Sequence, residues 1–180
     1  MVEVKPLLAH EWPLLKQVRL RALADAPDAF STTLAQAQTW TDGDWQKRAG
    51  RFAVNPPAAA RIAYLEGAPC GMMTCYPAAP QPDVTGPIAE LTSVWLAPAA
   101  RGQGAGEALV ASIVDWANAQ GIGVLQAWVM EGNEGAIAFY KKVGFAQTAQ
   151  RQPDEPDPSK HIILLTRRLQ PPSSHLASSD

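Results

Sequence analysis

Apolar and polar positions recur along this chain with two periods, and each change of period marks an element. Over residues 10–24, Trp12, Leu15, Val18 and Leu23 return at helical spacing with Lys16, Arg19 and Arg21 elsewhere, which predicts an amphipathic helix. Residues 2–6 read as a short strand before it, and "DAPDAF" ends it. A second helix is expected from Asp42 to about Val54, with Thr41 or Asp42 as N-cap, and then a turn at "NPPAAA". Residues 61–76 read as a hairpin around Glu66-Gly67-Ala68-Pro69. Residues 77–87, with four prolines, read as a loop that stays out of any ladder, since proline has no N–H to donate.

Residues 88–98 predict a strand ending at Pro98. A helix follows from "RGQGAGEALV" to about Gln120, with Leu109, Val110, Ile113, Val114 and Ala117 on one face. "GIGVLQAWVM" is apolar enough for a strand covered on both faces. Residues 133–144 predict a short amphipathic helix stopped by Gly144; residues 145–152 and 161–169 predict strands, with a loop at 153–160. The order is β-α-α-β-β-β-α-β-α-β-β. It implies one α/β (α+β) domain over residues 1–169 around a single mixed sheet, with a disordered tail over 170–180.

A chain of 180 residues, 47% hydrophobic, suits one domain with a sizeable core. Its net charge of −2, without any stripe of Lys or Arg, argues against nucleic acid and anionic membrane as partners. Charge interrupts the N-terminal stretch, so no signal peptide is read there. No apolar run approaches the ~20 residues of a membrane span. A soluble cytoplasmic protein is expected. Cys70 and Cys75 fall on opposite faces if they share a strand. With His10, His161 and His175 they form no metal-ligand spacing, and two cysteines make no disulfide framework.

Two motifs change the picture. The glycines at 102, 104 and 106 stand between a strand and a helix. They are not a Walker A loop, because Glu107 and Ala108 follow Gly106 where lysine and a hydroxyl residue are needed. G-x-G-x-x-G fails as well, since its last glycine would fall on Glu107. What remains is R-x-x-G-x-G, Arg101 to Gly106. Its backbone N–H groups and the following helix N-terminus could cradle an anion such as a pyrophosphate, with Arg101 adding a forked cation. A tight turn with a surface arginine reads equally well. The second motif, N-x-x-A-x-x-F-Y-x-x-x-G-F over residues 133–145, places Asn133, Ala136 and Tyr140 on one helical face and Phe139 and Val143 on a neighbouring stripe.

Together the motifs resemble the GNAT superfamily of acetyl-CoA-dependent N-acetyltransferases. The resemblance covers about residues 60–169, strongest over 90–106 and 133–145 and weak before 60. It implies the acyl-CoA N-acyltransferase type of fold, a mostly antiparallel sheet of about six to seven strands flanked by about four helices. It implies that Arg101, Gly102, Gln103, Gly104, Ala105 and Gly106 hold the pyrophosphate of coenzyme A. Val94, Trp95 and Leu96 would pair with the pantetheine arm, with Asn133, Ala136 and Phe139 along it.

Acyl transfer to an amine needs a proton acceptor, because an amine of pKa about 10.4 is neutral in only roughly one molecule in a thousand near pH 7. Glu90 is the candidate base. Strict alternation puts it on the face of Thr92 and Val94, unless a bulge changes the parity. Tyr140 resembles the family's proton donor to the departing thiolate and, like Phe139, would contact the cofactor. The N–H of Leu96 is the candidate oxyanion donor. Neither cysteine has an activating context, so direct attack in a ternary complex is expected, with no metal. The acidic loops at Asp83, Asp154, Glu155 and Asp157 hint at a cationic acceptor. The expected partners are acetyl-CoA and an amine acceptor, and six tryptophans leave room for a homodimer interface. The alternative is a catalytically idle acyl-CoA-binding module.

Overall fold

The computed structural model describes residues 1–53, 58–155 and 157–170. It holds seven strands and five α-helices: β1 (Val2–Pro6), α1 (Trp12–Asp25), α2 (Leu34–Gln38), α3 (Asp42–Gly50), β2 (Ala59–Leu65), β3 (Ala68–Ala78), β4 (Ile88–Leu96), α4 (Ala105–Ala119), β5 (Val124–Met130), α5 (Glu134–Lys142), β6 (Ala146–Pro153) and β7 (His161–Arg168). The strands form one sheet in the order β1-β2-β3-β4-β5-β7-β6. Every pairing is antiparallel except β4 with β5. The expected element order and sheet are present. No helix among the described residues is long and apolar enough to cross a membrane.

Each face of the sheet carries its own core. Leu109, Val110, Ile113 and Ala117 of α4 pack with Leu125 and Ala127 of β5 and Ile137 and Tyr140 of α5. On the opposite face, Leu15, Val18 and Ala22 of α1 and Trp45 and Ala49 of α3 pack with Ile62, Met72 and Trp95. The local signals are read as expected at several ends. Thr41 caps α3, accepting from the Asp44 N–H at 3.2 Å while the Asp44 carboxylate accepts from the Thr41 N–H at 2.9 Å.

Elsewhere the chain departs from the sequence reading, each time for a local reason. The β2–β3 turn is only Glu66-Gly67 (φ 49° and 80°), because Leu65 already pairs with Ala68. Ala59 and Ala60 belong to β2 rather than to a turn, while residues 55–57 lie outside the described residues. Pro77 and Ala78 do join a ladder, opposite Ala89 and Ile88. Among the described residues β2 begins with the Ala59–Cys75 pair, so Pro77 and Ala78 pair only with β4. The helix at Asp42 ends at Gly50 and finishes as a 3₁₀ turn, Arg51–Ala53. The five-residue α2 is too short to show a period, although Thr33 and Gln36 form its capping box. Cys70 and Cys75 are buried in the same, α4-side core, not on opposite faces. The β2–β3 register shifts between Ala63–Gly71 and Tyr64–Pro69, leaving Cys70 as an extra residue that flips the parity. The expected tail lies, from residue 171, outside the described residues.

Candidate active site

The sheet comes apart where its only parallel pair ends. β4 and β5 share three rungs, Ile88–Val124, Ala89–Leu125 and Glu90–Gln126. Beyond Glu90, β4 runs on paired only with β3, and β5 only with β7. The Ala97 N–H donates to Cys70 O at 2.7 Å, toward β3. By strand alternation the N–H and C=O of Leu96 therefore point the other way, into the gap. Leu96 O is met there by Arg101 Nε at 3.1 Å.

A bulge interrupts β4 before this edge. Met72 pairs with Trp95 but Thr74 with Thr92, so Ser93 and Val94 together face Met73, and Ser93 sits at φ 52°. Arg19 Nη1 donates to the Ser93 hydroxyl and ties α1 to the bulge. The bulge corrects the alternation expected from the sequence. Glu90 and Thr92 share the face of α1 and α3, whereas Val94 and Leu96 pack toward α4. Trp95 turns back to the α1 side, buried, with its indole N–H donating to Asp25 Oδ2 at 2.9 Å.

The glycine loop closes the mouth of the gap. Gly104, in the left-handed region (φ 82°) like Gly102 before it (φ 72°), is the N-cap of α4 and brings no side chain to cap the helix. Gly106 is needed for a different reason: a Cβ there would lie 2.8 Å from Phe139 Cε2 and 3.3 Å from Leu96 Cδ1. Two adjoining hollows result, of about 470 and 250 Å³. Both are lined by Leu96, Arg101, Gly106 and Phe139; the larger reaches Gly102, Glu107 and Lys142, the smaller Val94, Trp95 and Ala136. Lys142 pairs with Glu107, whose carboxyl is held below its usual range by that hydrogen bond and by its own backbone N–H.

The remaining sequence candidates stand around this groove. The guanidinium of Arg101 is anchored by Asp25, whose Oδ2 accepts from its Nη2 at 2.6 Å. Gln103 turns its side chain to Ala99 O. Ala105 is the first residue of α4. Asn133 is the N-cap of α5, its Oδ1 accepting from the Ala136 N–H at 3.1 Å, so it precedes the helical face on which the sequence placed it. Tyr140 is buried behind the groove, edge-on to Phe139 and Phe145 at 5.4 and 5.2 Å. Burial pushes its phenol well above its ordinary pKa, so it is a proton carrier at neutral pH.

Glu90 occupies the last rung before the gap. Gln126 Nε2 donates to Glu90 Oε2 at 2.7 Å, and Gln81 Nε2 donates to Gln126 Oε1 at 2.7 Å. Gln126, Gln81 and Asp25 were missed by the sequence reading. Only Gln126 left a signal, a polar residue in an otherwise apolar strand. Cys75 is pushed up to about 12, chiefly by burial and further by Glu90, and burial raises Cys70 as well. Neither offers a thiolate at neutral pH. His161 is a half-buried strand end whose carbonyl accepts from the Glu131 N–H at 2.8 Å.

A mixed sheet split at its parallel pair, with a glycine-capped helix N-terminus at the split, is the architecture of acyl-CoA N-acyltransferases. The sequence profile of the acetyltransferase (GNAT) family matches residues 20–145, reaching upstream of the stretch where the motifs are strong, and the chain belongs to that family. An uncharacterized N-acetyltransferase of Methanocaldococcus jannaschii is 37% identical over 60 residues, 33% of this chain and 26% of that protein. Mycothiol acetyltransferase of Renibacterium salmoninarum is 28% identical over 134 residues, 72% of this chain and 36% of that protein. The chain thus spans well under half the length of either relative. An acetyltransferase of Salmonella typhimurium, solved with its cofactor acetyl-CoA, superposes with a TM-score of 0.73 at 15% identity, covering 96% of both chains, and shares the fold.

Proposed function

We propose that this protein transfers an acetyl group from acetyl-CoA to a primary amine by direct attack in a ternary complex. The observation that carries the reading is the groove itself. A free strand edge at Val94–Leu96 runs toward a helix N-terminus without a side-chain cap, and Gly106 is kept open against Phe139. A long donor with an amide-bearing arm and a diphosphate fits these groups: the strand edge offers N–H and C=O to the arm, and Gly102 to Gly106 offer N–H groups to the diphosphate. Acetyl-CoA would supply an acyl group activated as a thioester.

The chain's own groups account for the proton movements. Glu90 takes the ammonium proton, and Gln126 holds its Oε2 so that the carboxylate keeps one orientation. The Leu96 N–H donates to the oxygen that gains negative charge. Tyr140 keeps its proton, because burial raises its phenol pKa, and donates a hydrogen bond to the departing sulfur. The raised thiol pKa values speak against an acyl-cysteine intermediate. We place this activity in the cytoplasm, where acetyl-CoA is available.

The test is release of free thiol from acetyl-CoA across a panel of amines, with Tyr140→Phe alongside. An amine-dependent rate that falls in the variant supports the assignment. Acetyl-CoA binding with no turnover for any amine would favour the idle-module reading. No binding of acetyl-CoA would end both.

A further inference from the structure

The face that carries Glu90 is not acidic, whatever the surface loops suggest. Directly opposed residues of an antiparallel pair point to the same face, so Tyr76 stands beside Glu90. Three arginines from separate elements converge on that tyrosine: Arg19 of α1 and Arg48 of α3, with Arg51 just after it. All three charges act on its phenol, whose pKa burial nevertheless keeps raised. None of the three has a carboxylate within 4 Å among the described residues, although other arginines here are paired that way, Arg101 with Asp25 and Arg151 with Glu131.

The arginines are also held rather than loose. Arg19 lies 4.5 Å from the Phe30 ring centre and gives one donor to Ser93, the bulge residue just before the groove edge, leaving most of its five N–H donors without a partner among the described residues. Arg48 lies over the Trp40 ring at 3.3 Å, and its buried Nε has no partner among the described residues. The Phe52 and Tyr76 rings, 6.0 Å apart, form an apolar wall nearby. In contrast, Asp157 of the acidic loop is engaged locally, accepting from the Ser159 hydroxyl at 2.6 Å and lying 3.6 Å from Lys160.

We propose that the acceptor is a small α-amino acid with an apolar side chain, its carboxylate held by Arg19 and Arg48 and its amine presented to Glu90, and this rests on the acetyl-transfer reading above. Fixed, unpaired guanidinium groups bind a carboxylate in a fork and repel a polyamine or a lysine-rich peptide. Arg19 joins the two halves of the site, because the residue it touches immediately precedes the strand edge of the groove.

The test is calorimetric titration of the full-length protein, saturated with coenzyme A, with N-acetylphenylalanine and N-acetylleucine and with their uncharged amides. The acids should bind at least about tenfold more tightly than the amides. Arg19→Gln should remove that preference, and Arg19→Lys should restore part of it, both proteins still binding coenzyme A. Equal binding of acids and amides, binding of neither, or a preference that survives Arg19→Gln would each overturn the proposal while leaving acetyl transfer standing. Acetylation of spermidine in preference to both amino acids would overturn it too. Failure of the unaltered protein to bind coenzyme A at all would instead defeat the reading on which it rests.

Discussion

Gly106→Ala separates the shape of the groove from the stability of the fold. The added methyl would sit 2.8 Å from Phe139 Cε2, 3.1 Å from Cζ and 3.3 Å from Leu96 Cδ1. Ordinary carbon contacts begin near 3.5 Å, so the Phe139 ring must retreat by about 0.7 Å. Overpacking of this size costs about 1–3 kcal/mol. Alanine in place of helical glycine returns about 1 kcal/mol, since Gly106 lies within α4. The net loss is about 0–2 kcal/mol, a fall in Tm of up to about 8 °C for a chain of this size. Binding should suffer more, because Phe139 lines both hollows. We expect the KM for acetyl-CoA to rise about tenfold or more, the equivalent of at least about 1.4 kcal/mol. Gly121→Ala is the control: at a φ of 70° the alanine costs about 1–2 kcal/mol of backbone strain, comparable to the net loss at Gly106, but nothing lies within 4 Å of the new methyl. It should lower Tm and leave the KM alone. An unchanged KM in a folded Gly106→Ala protein would refute the assignment of this groove to the donor.

Three further outcomes follow from the same geometry. Glu90→Gln should lower kcat near pH 7 about 100-fold or more, with the loss shrinking as the pH approaches the pKa of the amine; a pH-independent deficit would mean that Glu90 only positions groups. Asp25→Ala leaves the buried Trp95 indole N–H without its acceptor and should destabilise the fold by about 1–3 kcal/mol, read by urea denaturation. Burial raises the pKa of Tyr140, so the unfolded chain loses this proton first as pH rises. Its contribution is therefore intact below about pH 10 and is lost above it, and Tyr140→Phe should flatten the decline of Tm between pH 9 and 11.

What could be read from the sequence was whatever depends on near neighbours. Helix periods, the Thr41 cap and the two motifs are all set within a dozen residues, and each was legible. The parity of Glu90 was not, because it depends on the bulge at Ser93, a serine in the left-handed region that no composition signal marks. The same holds for Cys70, displaced by a register shift that exists only once β2 has paired. Pro77 looked like a ladder breaker because its pairing with Ala89 is a tertiary fact. Asp25 joins Trp95 and Arg101 across 70 and 76 positions of sequence, and the arginines around Tyr76 come from α1, from α3 and from the turn beyond it. Such groupings leave no trace in any window of the chain.

The three rungs between β4 and β5 have a mechanical consequence. β1–β4 with the N-terminal helices form one leaf of the molecule and β5–β7 form the other, with a short spine of strand pairing and α4 and α5 packed against it. A leaf hinged so narrowly is compliant at its free margin, where the backbone hydrogen bonds of a continuous sheet are missing. Anything lying along Val94–Leu96 takes the place of an absent strand and stiffens the whole sheet, so occupancy and rigidity rise together. In the proposed reaction, departure of the spent donor would require the leaves to loosen again. Gln126, in the last rung of the spine and hydrogen-bonded to Glu90, would then couple the parting of the leaves to the position of the proposed base.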